Sequence, residues 1–276
     1  MHKSRNLPKR LYLEITNRCN LACPFCLRTN RPIEDLSLAL IEKVMRESRA
    51  ITEYLYLHVQ GEPLLHPEFP QILELAGKYR RRIQLVTNGV LLGKYQDILL
   101  DSTCIRKVSI SLQGLFLASE LSSKLETLEK FVEKASDRRM MIELRIWAKE
   151  KSEIIDFVRE RFGIESAGVT SGKIKDNLYL SCKEEFQWPS LNLPVNDERH
   201  YCLGPKLMVC VLSDGTITPC CLDGEGLITL GNIRDISLSE AWVSSRYLAM
   251  IAGFKENKAV EKLCRHCYYL SSYEEA

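Results

Sequence analysis

The run Leu11-Tyr12-Leu13-Glu14-Ile15-Thr16-Asn17-Arg18-Cys19-Asn20-Leu21-Ala22-Cys23-Pro24-Phe25-Cys26 passes from a short β-forming stretch into a loop that carries three cysteines. A strand is expected over 10–16, and the next periodic segment is helical. In 37–49, Leu38, Ile41, Val44 and Met45 fall on one face. The same pairing then recurs. Strands are expected over 54–60, 82–87, 105–112 and 140–147, with a weaker sixth near 166–170. Helical patterns occupy 68–80, 93–101, 119–138 and 151–162 between them. Alternating βα units call for a parallel sheet in an α/β fold. Six units are too few for a closed eight-stranded barrel, so the expected architecture is a partial (βα)6 TIM-like barrel.

Beyond residue 171 the rhythm changes. Pro189, Pro194 and scattered polar residues make 176–200 read as a connecting segment between a barrel over 1–175 and a small C-terminal unit over 201–276. That unit opens with Lys206–Leu212, a turn at Ser213-Asp214-Gly215, and Thr216–Thr218, a strong hairpin signal. A helix over 238–251 follows.

The composition narrows the function classes. In 276 residues, 38 basic side chains oppose 36 acidic ones for a net charge of +2, which offers no field for nucleic acid and no polybasic membrane anchor. No apolar run approaches a membrane span, and no signal-type h-region follows the basic N-terminus. Eleven cysteines without a secretory signal point to a reducing, cytoplasmic setting and to metal ligation.

Three thiolates at the spacing of Cys19, Cys23 and Cys26 can bind three corners of an iron–sulfur cubane and leave the fourth open to chemistry. A zinc site with a distant fourth ligand is the other reading of the spacing. CxxxCxxC with Phe25 before its last cysteine resembles the signature of the radical S-adenosylmethionine (SAM) superfamily. The resemblance implies a [4Fe–4S] cluster on Cys19, Cys23 and Cys26, with its free iron chelating the amino and carboxylate groups of SAM. Reductive cleavage of SAM would give a 5′-deoxyadenosyl radical that takes hydrogen from a substrate. A flavodoxin- or ferredoxin-type reductant is the partner so implied.

Further motifs fall after successive strands. Gln60-Gly61-Glu62-Pro63 is similar to the family's Gly-Gly-Glu-Pro element, which receives the SAM ammonium, and departs from it at Gln60. Thr87-Asn88-Gly89 is similar to a Thr-Asn-Gly turn, and Ser111-Leu112-Gln113-Gly114 to a Ser-Leu-Asp-Gly element near the ribose, with Gln113 replacing Asp. Phe25 would lie near the adenine. Arg145 on the fifth strand can pair with the SAM carboxylate or stand as a surface cation. Lys173, just after the expected sixth strand, is a candidate substrate contact or base, or else a solvated loop lysine.

In the C-terminal unit, Gly215 would turn the hairpin and bring Cys202 and Cys220 to one end, and Cys264-x-x-Cys267 supplies two more thiols. Spacing alone suits zinc equally well, and Cys221 competes with Cys220. The pattern Cys-x12-Gly-x4-Cys, followed by Leu230-Gly231-Asn232-Ile233, Glu240-Ala241-Trp242 and a terminal CxxC, resembles the SPASM/twitch extension of radical SAM enzymes. With no cysteine after Cys267, the shorter twitch form is expected, holding one auxiliary [4Fe–4S] cluster on Cys202, Cys220, Cys264 and Cys267. Cys104, Cys182, Cys210 and Cys221 default to small buried hydrophobes.

Four thiolates would leave the auxiliary cluster no open iron, so its expected role is to accept an electron. The type resembled is the SAM-dependent aminocyclitol dehydrogenase, which implies oxidation of a secondary alcohol on a carbohydrate-like small molecule. Maturation of a ribosomal peptide by thioether formation, crosslinking or epimerisation is the alternative. A strand starting near residue 10 leaves little room for a leader-recognition domain and weakens that alternative.

Overall fold

The structure, a computed structural model, describes residues 8–147, 153–163, 171–185, 187–196 and 201–269. β1 (Arg10–Leu13), β2 (Tyr54–Leu57), β3 (Arg82–Thr87), β4 (Ile105–Ser111) and β5 (Met141–Trp147) lie side by side and parallel. They are connected by α1 (Leu38–Glu47), α2 (Phe69–Lys78), α3 (Leu92–Asp101), and then α4 (Leu112–Phe116) with α5 (Leu121–Ala135). After β5 come α6 (Glu153–Phe162), β6 (Gly172–Lys175) and β7 (Leu178–Lys183). β7 pairs parallel with β5 and is the sixth barrel strand, while β6 runs antiparallel at the edge.

Two expectations change here. The strand placed near 166–170 lies outside the described residues. The stretch 176–200, expected to be a connection, contains β7. Leu178, Leu180 and Cys182 alternate with polar residues, and β5 offers a free edge for them to complete.

The C-terminal unit comprises α7 (Gly204–Leu207), β8 (Met208–Val211), β9 (Thr216–Thr218), β10 (Gly231–Asn232), α8 (Leu238–Trp242), α9 (Ser245–Lys255) and α10 (Lys262–Arg265). β8 and β9 form the expected hairpin, with Gly215 at φ +84° in its turn. The single helix expected over 238–251 is two. Ser244 caps the second by accepting from the Tyr247 amide at 3.3 Å, which stops α8 and restarts the chain as α9. The unit is also not separate from the barrel. β8 pairs parallel with β1, from Arg10 with Met208 to Leu13 with Val211, so one sheet runs β10-β9-β8-β1-β2-β3-β4-β5-β7-β6.

Alternation along each strand divides the sheet into two faces. Leu11, Leu13, Leu55, Leu57, Ile83, Leu85, Val108, Ile110, Ile142 and Leu144 are fully buried on the helix-covered face, where each contributes about 1.5–3 kcal/mol. The concave face is aromatic and polar. Tyr12 stacks on Tyr56 at 4.9 Å, the Gln84 amide donates to the Tyr56 hydroxyl at 3.3 Å, and Glu143 accepts from Lys107 and Ser109 at 3.0 and 2.6 Å. A sheet built this way is stable on its outer face and leaves its inner face to a ligand. Leu85→Ala is expected to cost about 2–5 kcal/mol, read as a lowered urea midpoint. An unchanged midpoint would mean that the outer face is not closely packed at this central strand.

Candidate functional site

The strands end on a cavity of about 310 Å³ whose walls run from Asn17 on the first loop to Trp188. The first loop leaves β1 and returns through the Thr16–Asp35 bridge and the Leu36 amide donating to the Ile15 carbonyl at 2.8 Å. Cys19, Cys23 and Cys26 all line the cavity. Burial raises all three thiols, Cys26 to about 11, and for Cys23 and Cys26 the neighbouring thiols add to it. Three adjacent thiolates here need a cation to neutralise them, which is what a metal cluster provides.

The turn after β2 is built against this loop. Gly61 has φ +73°, and a Cβ there would lie 2.4 Å from the Thr16 carbonyl oxygen, so no other residue fits. The Glu62 amide donates to the Arg18 carbonyl at 2.7 Å. The Glu62 side chain is 1% exposed, and burial pushes its carboxyl up to about 7. Its Oε1 accepts from Thr87 Oγ1 (2.8 Å) and the Leu64 amide (3.1 Å), and Oε2 from the Asn88 amide (2.7 Å). Oε1 is therefore filled, and Oε2 keeps one lone pair for a ligand.

Asn88, Ser111, Gln113 and Arg145 line the same cavity, as do Phe25, Gly61 and Pro63. Asn88 Nδ2 donates to Asn20 Oδ1 at 2.8 Å and approaches Cys19 Sγ at 3.8 Å. Nε2 of Gln113 is buried with no hydrogen-bond partner among the described residues. Nε2 of Gln60, another cavity residue, is likewise unpaired and packs on Gly224, where a Cβ would lie 2.3 Å away. Arg145 is half-buried over the Trp147 ring at 5.5 Å, so it is a cavity wall, not a surface cation. Lys173 is exposed on the edge strand β6 and is not among the cavity residues, because the chain turns there into the β6–β7 hairpin.

Sequence reasoning missed His58, Trp147, Trp188 and Arg31, which also line the cavity. Burial and the nearby Arg145 hold the His58 imidazole down to about 3, so it is neutral. Its position two residues past Tyr56 on an alternating strand was the available signal. Arg31 closes a buried cluster with Glu14, which is 1% exposed. Arg31 donates to Glu14 Oε1 (2.5 Å), to the Gly224 carbonyl (2.9 Å) and to Ser213 Oγ (3.3 Å). Glu14 also accepts from the Ser213 amide and hydroxyl and from the Gln60 amide.

A second, smaller cavity is ringed by Cys202, Cys220, Cys264 and Cys267 and walled by Leu222, Ile228, Met250 and Leu263. Burial raises Cys202 to about 12 and Cys267 to about 11. The Gly204 amide donates to Cys202 Sγ at 3.2 Å and the Leu222 amide to Cys220 Sγ at 3.5 Å. Among the described residues, no three Cys, His, Asp or Glu side chains converge to hold a single metal ion. Four thiols around one cavity match the thiolate ligand set of an iron–sulfur cluster. Cys221 does not line this cavity, and its Sγ lies 3.5 Å from Met208 Sδ. Cys210 and Cys104 are buried and Cys182 is half-buried, all outside this cavity.

Residues 13–117 match the Radical SAM superfamily, and residues 202–268 match the SPASM iron–sulfur cluster-binding domain. Radical SAM domains bind SAM and a [4Fe–4S] cluster, and SPASM domains bind additional iron–sulfur clusters. A probable GTP 3′,8-cyclase of Methanococcus maripaludis is 30% identical over 131 residues, 45% of this chain and 44% of that protein, so the chain spans less than half of this relative's length. BtrN in complex with AdoMet and 2-DOIA has a similar fold, with TM-score 0.57, 18% identity, and coverage of 96% of this chain and 94% of that one. Streptococcus suis SuiB bound to precursor peptide SuiA aligns with TM-score 0.65 and 18% identity, over 98% of this chain and 74% of that one. No described helix is long and apolar enough to cross a membrane.

Removing Arg31 leaves Glu14 buried and unpaired. Arg31→Met is therefore expected to destabilise by about 3–5 kcal/mol in urea denaturation. Adding Glu14→Gln to it should recover a substantial part of the loss. A surface-like effect below about 1 kcal/mol would show that the pair is solvated.

Proposed function

We propose that this chain, a radical SAM enzyme carrying a SPASM domain, oxidises a secondary alcohol of a carbohydrate-like or aminocyclitol substrate to a ketone. The four-cysteine cavity carries this reading. With four protein thiols around it, a cluster there has no corner left for substrate, so its contribution is to take up an electron. Cys19, Cys23 and Cys26 would hold the other cluster, which would supply the electron for reductive cleavage of SAM. A flavodoxin- or ferredoxin-type protein is the proposed source of that electron.

The chain's own residues bind and orient. Glu62 Oε2 retains an acceptor site for the SAM ammonium, and Arg145, which has no ion pair among the described residues, takes the carboxylate. The unpaired Gln113 amide and Ser111 serve the ribose side, with Asn88 holding the loop beside Cys19. Phe25 sits by the adenine, its ring edge-on to Trp147 at 5.8 Å. Gly61 and Pro63 fix the backbone of the turn. His58, held neutral by burial and by Arg145, lines the cavity without adding a second positive charge beside Arg145. Modification of a peptide is the second reading, supported by the shared fold with SuiB bound to its precursor peptide.

Anaerobically reconstituted protein is expected to hold about eight irons. Replacing Cys202, Cys220, Cys264 and Cys267 together should leave about half, and four irons in the intact protein would remove the electron acceptor. Turnover with carbinol-deuterated aminocyclitols should place deuterium in 5′-deoxyadenosine. Transfer of label only from a deuterated peptide would replace the dehydrogenase reading with the maturase one.

A further inference from the structure

The two cysteine cavities share a wall. Trp188 lines the large cavity and its neighbour Pro189, which is buried, lines the four-cysteine cavity. The Trp188 indole Nε1–H donates to the main-chain carbonyl of Phe25 at 3.0 Å. That carbonyl belongs to the peptide bond joining Phe25 to Cys26. A path therefore runs from Cys26 through one peptide group, across one hydrogen bond into the Trp188 ring, and along the chain to Pro189. It contains one hydrogen bond, and from Pro189 it reaches the four-cysteine site across the cavity that Pro189 lines. The residues lie between the barrel and the C-terminal unit, in a stretch whose two ends are held separately. On one side is β7, and on the other the Asn196 amide donates to the Arg265 carbonyl at 2.7 Å.

We propose that Trp188 and Pro189 are the electronic bridge between the two cysteine sites, and that an electron crosses from the four-cysteine site to the Cys19–Cys26 loop through the Trp188 Nε1–H···O=C Phe25 hydrogen bond. The step moves one electron. The four-cysteine site is oxidised by one, the three-cysteine site is reduced by one, and no bond or proton changes place. This rests on the proposed loading of both sites with iron–sulfur clusters. It also gives the electron released in substrate oxidation a way back to the site where the next SAM is cleaved. Trp188 is thus a positioning and conducting residue.

The test uses electron paramagnetic resonance. Protein loaded at both sites is reduced with titanium(III) citrate, freed of reductant, mixed with SAM and freeze-quenched over time. In the wild type, the signal of the reduced four-cysteine cluster should decay as its electron crosses. Trp188→Phe keeps an aromatic ring and removes only the N–H, and should retain the signal several-fold longer. Trp188→His, which restores an N–H donor, should decay faster than Trp188→Phe. Equal decay in wild type and Trp188→Phe overturns the bridge. So does a wild-type signal that persists, a result that stands even if Trp188→Phe fails to load. Wild-type protein that shows only one cluster signal at any stage of reduction overturns the loading itself, and the bridge with it.

Discussion

Glu14 places a carboxylate where the end of β1, the return of the cysteine loop, the turn before Gly61 and the tip of the C-terminal hairpin all meet. Taken from water alone, such a charge would be prohibitively unfavourable, so the surrounding donors are a condition of folding at this point. Arg31 supplies the countercharge, and Ser213 and the Gln60 amide satisfy the remaining acceptor sites. Four segments distant in sequence are thereby fixed in one arrangement. The cysteine loop cannot be placed without the turn that follows β2, and neither can be placed without the hairpin. The placement of the first cysteine loop beside the turn after β2 and the hairpin tip depends on this one desolvated pair.

Features encoded locally were legible in the sequence. Cys19, Cys23 and Cys26 sit on one loop, so their spacing alone brings them together. The five leading strands each carry alternating apolar residues, and Gly215 marks its turn by the positive φ it adopts. What depended on tertiary pairing was harder to read. β7 looked like a connection because its apolar residues become meaningful only beside β5. Cys220 and Cys221 were indistinguishable by spacing, and only the fold puts Cys220 on the cavity wall and Cys221 against Met208. His58 and Trp188 carry no motif, and reach the cavity through strand parity and the course of a long segment.

Glu62 and Gln113 show how the site balances stability against binding. Glu62 gives most of its acceptor capacity to the protein and ties the turn after β2 to the end of β3. Gln113 leaves a donor unpaired, which disfavours the empty site by about 1–3 kcal/mol until a ligand acceptor meets it. The first residue makes the cavity rigid, and the second makes it selective for an occupant with an acceptor at that point.

The parallel pairing of β8 with β1 has a consequence for how the protein could change over evolution. An appended unit joined by a loop can be lost, swapped or repositioned with little effect on its neighbour. Here the appended unit covers the edge of the first barrel strand. Shedding it would expose a row of unpaired amides and carbonyls on Arg10–Leu13, an open template for strand addition and aggregation. The two parts are thus committed to one another as a solubility requirement, independently of any chemistry they share.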